Sequence, residues 1–256
     1  MKLITYLLLF ISISLHAQNT TFYGVLPVLS QTGRISQRID YNIFISSTFD
    51  AFDRTIKDVK YPSKDLQFYF QPSIIYKFTP NFNVSASYTF QRGNPIYTDF
   101  TNENRLWEQC IIGRNFGKLR MTNRFRFEER FIQDRETNSY PFSTRLRYQV
   151  GFNMPLQGKT LDAKEFYLNT YNEFYFSLTG AKNATFSTDW AYAGIGYNTA
   201  NMGRIEVGYL LQVSVRDEEK DLQYLNLMQV SWITNFNFSL KQLLLQAKKP
   251  VQETTK

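Results

Sequence analysis

Histidine and cysteine are almost missing: His16 and Cys110 are the only ones in 256 residues. A lone thiol excludes an internal disulfide framework. A lone imidazole excludes the usual zinc ligand sets and takes the commonest general base away from nucleophilic triads. Glycine-rich phosphate loops, Cys or His metal spacings and acidic calcium loops are also lacking, so no cofactor and no metal is expected. Apolar runs are short. The most apolar stretch, residues 3–15, falls below the roughly 20 residues that a spanning helix needs. The formal charge of +7 is dispersed rather than gathered into a basic block, which argues against nucleic acid as a partner.

What the chain has at its start is the anatomy of a secretory signal: Met1-Lys2, the apolar stretch, then Leu15-His16-Ala17 ahead of Gln18. Cleavage is expected after Ala17, which makes 1–17 a signal peptide and leaves the mature protein without histidine. Behind it, at least nine stretches alternate between apolar and polar residues. In 66–78, Leu66, Phe68, Phe70, Ile74, Tyr76 and Phe78 share one parity, and Gln67, Gln71, Ser73 and Lys77 the other. Strand side chains point to opposite faces with a period of two, so one face is oily and the other wet. The same pattern recurs from Ile35 through Phe90 and, more weakly, over 103–112. It continues in Leu119 to Phe131, Phe142 to Phe152, Phe166 to Phe176, the small-residue segment around Trp190 and Gly194, Ile205 to Val215, and Tyr224 to Phe238.

Several of these segments reach the roughly 9 to 11 residues that cross a bilayer on a tilt. They predict an all-β fold, a transmembrane antiparallel up-and-down β-barrel of about 10 strands, with 12 as the alternative and 20–26 uncounted. A mean hydropathy of -0.36 agrees, because a barrel shows lipid only alternate residues. An aromatic content of 17% suits the headgroup level, where a ring keeps one end dry and the other hydrated. A soluble carrier with its oily face turned inward is the competing reading, but such barrels have about eight strands and fewer rings. Long polar connections at 49–63, 92–102, 132–141 and 216–221 interleave with short ones at 79–81, 113–117 and 198–202. Outer-membrane barrels alternate in this way. Ten crossings starting upward at Gly33 put both barrel ends in the periplasm. The connection at 153–163 is longer than a periplasmic turn should be. The barrel is expected to occupy 18–238, with 239–256 as a periplasmic tail.

The wet faces concentrate charge in one set: Arg120, Arg124, Arg126, Glu128, Arg130, Arg145, Arg147, Glu173 and Glu206. Slipping the 118–131 strand by one residue would aim Arg120, Arg124, Arg126 and Arg130 at lipid for about 2–4 kcal/mol each near the midplane, so this face must look inward. One reading of the set is structural, guanidinium forks and carboxylates filling a narrow lumen. The other is an anion or ligand path, since charged rings set pore selectivity and arginine is in excess. Cys110 is expected to be an unreactive bystander, for want of a histidine partner. Adjacent Glu128 and Glu129 face opposite sides and cannot act as a carboxylate pair.

The stretches Glu103-Asn104-Arg105-Leu106-Trp107-Glu108-Gln109, Asn123-Arg124-Phe125-Arg126-Phe127-Glu128-Glu129-Arg130-Phe131 and Arg145-Leu146-Arg147-Tyr148 ahead of Pro155 are similar to the exported bacterial family called domain of unknown function 2490. Their most specific part is the Arg-x-Arg-x-Glu-x-Arg run. The resemblance implies an outer-membrane barrel without an established biochemical role. Such barrels commonly end on an aromatic residue of the last strand, whereas eighteen residues follow Phe238 here. The expectation is therefore a bacterial outer-membrane protein of structural or unassigned role with no catalytic centre, in contact with membrane lipid. A passive channel or uptake barrel for small, anionic solutes is the first alternative, and a lipid-modifying enzyme the second.

Overall fold

The structure is a computed structural model describing residues 20–56, 59–61, 64–93, 100–180, 185–215 and 222–235. The expected signal peptide, the loop tip at 217–221 and the expected tail lie outside the described residues. Long barrel strands are β1 (Thr20–Arg34), β2 (Ile39–Asp50), β5 (Asp65–Thr79), β6 (Phe82–Gly93), β7 (Thr101–Phe116), β8 (Leu119–Ile132), β9 (Phe142–Pro155), β10 (Glu165–Thr179), β11 (Phe186–Asn198), β12 (Arg204–Val215) and β13 (Leu222–Thr234). Two short strands, β3 (Arg54–Ile56) and β4 (Val59–Tyr61), make a separate hairpin in the β2 to β5 connection.

The eleven long strands close into one barrel, each paired with its neighbours along the chain. Even the shortest, β2, β6 and β12, have 12 residues, more than a tilted crossing requires. The strand beyond the expected ten is β1. It reads poorly in the sequence because Leu26 and Val28 face inward while Val25, Pro27 and Leu29 face outward, so both parities are apolar. An odd number of up-and-down strands must bring first and last together in the same direction. β1 accordingly pairs with β13 in parallel, from Thr20 opposite Gln223 to Gln31 opposite Thr234. Thr20 therefore lies at the rim of the long connections and Asn235 at the opposite rim, which corrects the expectation of both ends on one side.

Short connections at 35–38, 80–81, 117–118 and 199–203 share that second rim. The longer one at 156–164 joins them as a tied loop. Leu156 N donates to Phe166 O at 2.9 Å, Phe166 N to Gln157 Oε1 at 2.8 Å, and Asn198 Nδ2 to Asp162 O at 2.8 Å.

Pairing sorts the faces. Phe68, Ile74, Tyr88, Phe125, Val207, Tyr209 and Met228 all lie on the outside and are exposed, whereas Arg105, Arg126, Glu128, Arg145 and Arg147 are buried within. The inside-out soluble arrangement is thereby excluded. Leu66 departs from its expected parity: the β2/β5 register shifts between Thr48 and Phe49, and Leu66 turns inward to 1% exposure. Several polar groups that face outward are paired: Tyr209 Oη donates to Asn226 Oδ1 at 2.5 Å and Tyr148 Oη to Asn123 Oδ1 at 2.7 Å.

Met228, midway along β13 between Tyr209 and Val25, has apolar neighbours on both sides. Met228→Arg is expected to destabilise the barrel by about 2–4 kcal/mol in lipid, and Gln229→Arg on the lumen side by far less. Urea titration of both variants in bilayers checks this; equal losses would mean that the outer face does not meet lipid.

Candidate functional site

The lumen is divided lengthwise. Its β7 to β10 wall carries a charge network built on three carboxylates. Inward-facing residues of a strand recur every second position, so Glu103, Arg105 and Trp107 stack on β7, Arg124, Arg126, Glu128 and Arg130 on β8, and Arg145 and Arg147 on β9. Glu103 takes Arg130 on both oxygens, at 2.7 and 2.9 Å, and Arg105 at 2.6 Å. Glu128, with no solvent exposure, accepts from Arg145 Nε at 2.7 Å, Arg147 Nη1 at 2.9 Å and Arg105 Nη1 at 3.4 Å. Glu173 of β10 accepts from Arg124 Nη2 at 2.5 Å and Arg147 Nε at 2.7 Å.

Arg126 completes the network without a close carboxylate. Its nearest, Glu128, is at 3.9 Å. Two bonds to Gln109 Oε1, at 2.9 and 2.7 Å, hold the guanidinium, which lies 3.9 Å over the Trp107 ring. That ring donates Nε1 to Thr89 Oγ1 at 3.0 Å and Gln71 Oε1 at 3.2 Å. Arg147 is likewise stacked, 4.2 Å from the centre of Tyr175. Cation–π contact is the cheapest way to hold a cation where carboxylates run short.

Six guanidiniums thus meet three carboxylates, a surplus of three positive charges among the described residues. Beside the network runs a cavity of about 550 Å³, reaching from Gln223 and Ser214 near the long-loop rim to Ser231 and Ile233 near the other. Arg124 and Arg130, with side chains 19% and 18% exposed, are the network cations most open to it.

The opposite wall is apolar. Phe22, Leu26, Val28, Leu210, Leu225 and Leu227 pack together with Tyr192 on the inner faces of β1, β11, β12 and β13. Glu206 sits among them on neutral donors: Asn169 Nδ2 at 3.1 Å from both oxygens and Tyr192 Oη at 2.7 Å. Glycines make room for the tyrosines there. A Cβ on Gly196 would lie 2.1 Å from Tyr167 Cζ, and one on Gly194 2.2 Å from Tyr192 Oη.

Of the nine residues singled out from the sequence, Arg124, Arg126, Glu128, Arg130, Arg145, Arg147 and Glu173 come together. Arg120 does not. It reaches Asn81 and Asn115 at the short-turn rim, at 3.2 and 3.1 Å. Glu206 belongs to the apolar wall. Glu103, Arg105 and Trp107 join the network from outside that set: their segment carries the family resemblance, but its alternation is weak because Glu108 and Asn104 put polar groups on the outer parity too. Cys110 faces outward between Val84 and Phe125, away from the lumen.

A family model described as Protein of unknown function (DUF2490) matches residues 31–223. Comparison with curated proteins and with solved structures returns no match.

Proposed function

Since the chain belongs to the DUF2490 family, whose description carries no activity, we propose from geometry and sequence that it is a non-catalytic barrel of the bacterial outer membrane whose lumen admits small anionic solutes. The network's surplus of three guanidinium charges, set against the one carboxylate of Glu206 on the other wall of a cavity that runs along the lumen, is the observation that supports this reading. Carboxylates hold the arginines in place, and the excess charge lowers the barrier to an anion while raising that to a cation. An export signal at 1–17 and an oily outer face support the location. A plugged, purely structural barrel is the second reading, favoured by the sharing of each carboxylate between at least two arginines.

Ion selectivity in planar bilayers tests it. The purified protein is expected to conduct in small steps that prefer chloride to potassium. Replacing both Arg124 and Arg130 by Gln should reduce that preference severalfold while leaving the fold intact, because Glu173 keeps Arg147 and Glu103 keeps Arg105. Silent bilayers would favour the plugged barrel, and a preference indifferent to both changes would mean that Arg124 and Arg130 do not set it.

A further inference from the structure

Two prolines interrupt the barrel wall, and polar side chains tie one of the interruptions from inside. Proline has no N–H to give a ladder. The β1/β2 ladder pairs Val25 with Phe49 and next Val28 with Ser46, passing over Leu26 and Pro27 opposite Thr48 and Ser47. The β5/β6 ladder pairs Phe70 with Phe90 and next Ser73 with Ser87, passing over Gln71 and Pro72. Behind Pro72 the seam borders the cavity at Gln71 but is tied by side-chain bonds. Gln71 and Thr89 both accept from Trp107, and Ser87 Oγ donates to the Pro72 carbonyl at 2.5 Å.

Behind Pro27 the wall is apolar or small: Leu26, Val28, Ser46 and Thr48 line the lumen cavity, with Leu26 and Val28 part of the apolar cluster. On the outer side an apolar groove of about 650 Å³ runs over the same strands, walled by Pro27, Leu29, Ile45, Phe49, Val230 and Trp232. Val28, Ser46 and Ser231 border both spaces, so lumen cavity and outer groove come within one strand's thickness of each other next to the unpaired positions. On its other side β1 is joined to β13 without a break, and Asn226 Nδ2 adds a bond to the Phe22 carbonyl at 3.2 Å. The weak line of the wall is therefore β1/β2.

The cavity's chemistry selects what would cross. One wall offers guanidiniums, Arg124 foremost, and the other Leu26, Phe44, Leu210 and Leu225. A solute matching both has one anionic head and one apolar chain. We propose that the β1/β2 seam at Pro27 is a lateral portal through which the chain of a single-chain anionic amphiphile passes between membrane and lumen, its head held on the arginine wall. This rests on the anion-admitting lumen above and adds the class of solute and its route.

The test uses tryptophan quenching by 11-bromoundecanoate in reconstituted protein. Trp232→Phe removes the outward indole and Cys110→Ser the native thiol, leaving two lumen indoles as reporters: Trp190 on the cavity, 5.7 Å from the guanidinium carbon of Arg147, and Trp107 buried beneath Arg126. Saturable quenching is expected, weakened at least fivefold by Arg124→Gln. In this background Val28→Cys with Ser46→Cys places a disulfide across the seam. Oxidation should slow quenching at least tenfold, and a reductant should restore it. Pro27→Val, which returns an N–H to the ladder, should slow entry without any cross-link. Quenching that saturates at unchanged speed in both the oxidised pair and Pro27→Val overturns the portal but leaves the lumen reading standing. No saturable quenching in any variant overturns the amphiphile, and the chloride preference then decides the lumen reading alone.

Discussion

Glu128→Ala is expected to destabilise the barrel by about 3–5 kcal/mol, the usual loss when one partner of a buried ion pair is removed. Arg145 is the guanidinium most affected, since among the described residues Glu128 is its only carboxylate and bonds it directly; Arg126 loses a carboxylate at 3.9 Å but keeps Gln109, Arg105 retains Glu103 and Arg147 retains Glu173. The stranded charge stays under Tyr175, 4.9 Å from the ring centre, too deep to recover full hydration. Glu128→Gln keeps the shape and an acceptor, so it should lose less. Urea unfolding in detergent, followed by the heat-modifiable band shift on gels, measures both. A loss below about 1 kcal/mol for Glu128→Ala would mean that water enters the network freely.

The second large effect is Trp107→Ala, also about 3–5 kcal/mol. Trp107 is 2% exposed, fills the space between Gln71, Thr89 and Arg126, and supplies the face over which Arg126 is held. Truncation leaves a cavity and removes the ring that offsets a cation lacking a close carboxylate. Trp107→Phe retains the ring but not the N–H, and about 1–3 kcal/mol is expected from the unanswered acceptors. The same denaturation assay ranks the three proteins. In bilayers, Trp107→Ala should also raise the unit conductance, because the ring occupies lumen beside the cavity. Stability within 1 kcal/mol of the parent would show that Trp107 does not hold the Arg126 wall in place.

Where both parities differ in polarity, the strands were legible. β8 is the plainest case: Phe125 and Phe127 look out, Arg124, Arg126 and Glu128 look in, and the cost of the opposite register leaves no choice. Strands apolar on both parities were harder. Leu210 beside Leu211, and Leu225 and Leu227 flanking Asn226, conceal which residues line the lumen. The greasy wall, half of the candidate site, was missed for that reason, and so was the full length of β1. A doubled apolar parity in the neighbouring strands β1, β12 and β13 was the available signal. Leu66 was misplaced by a bulge, and a single inserted residue leaves no mark on periodicity.

A membrane-type barrel with its arginines indoors follows from residue order alone, because the period of two is local and the penalty for aiming a guanidinium at lipid exceeds any local preference. The odd strand number, the parallel closure of β1 on β13, the sharing of three carboxylates among six arginines, and the approach of lumen and outer groove at Pro27 emerge only in the closed barrel. These depend on which strands become neighbours when the sheet curls shut. Residues as far apart as Phe22 and Asn226 meet at that closure, and no window along the chain contains both.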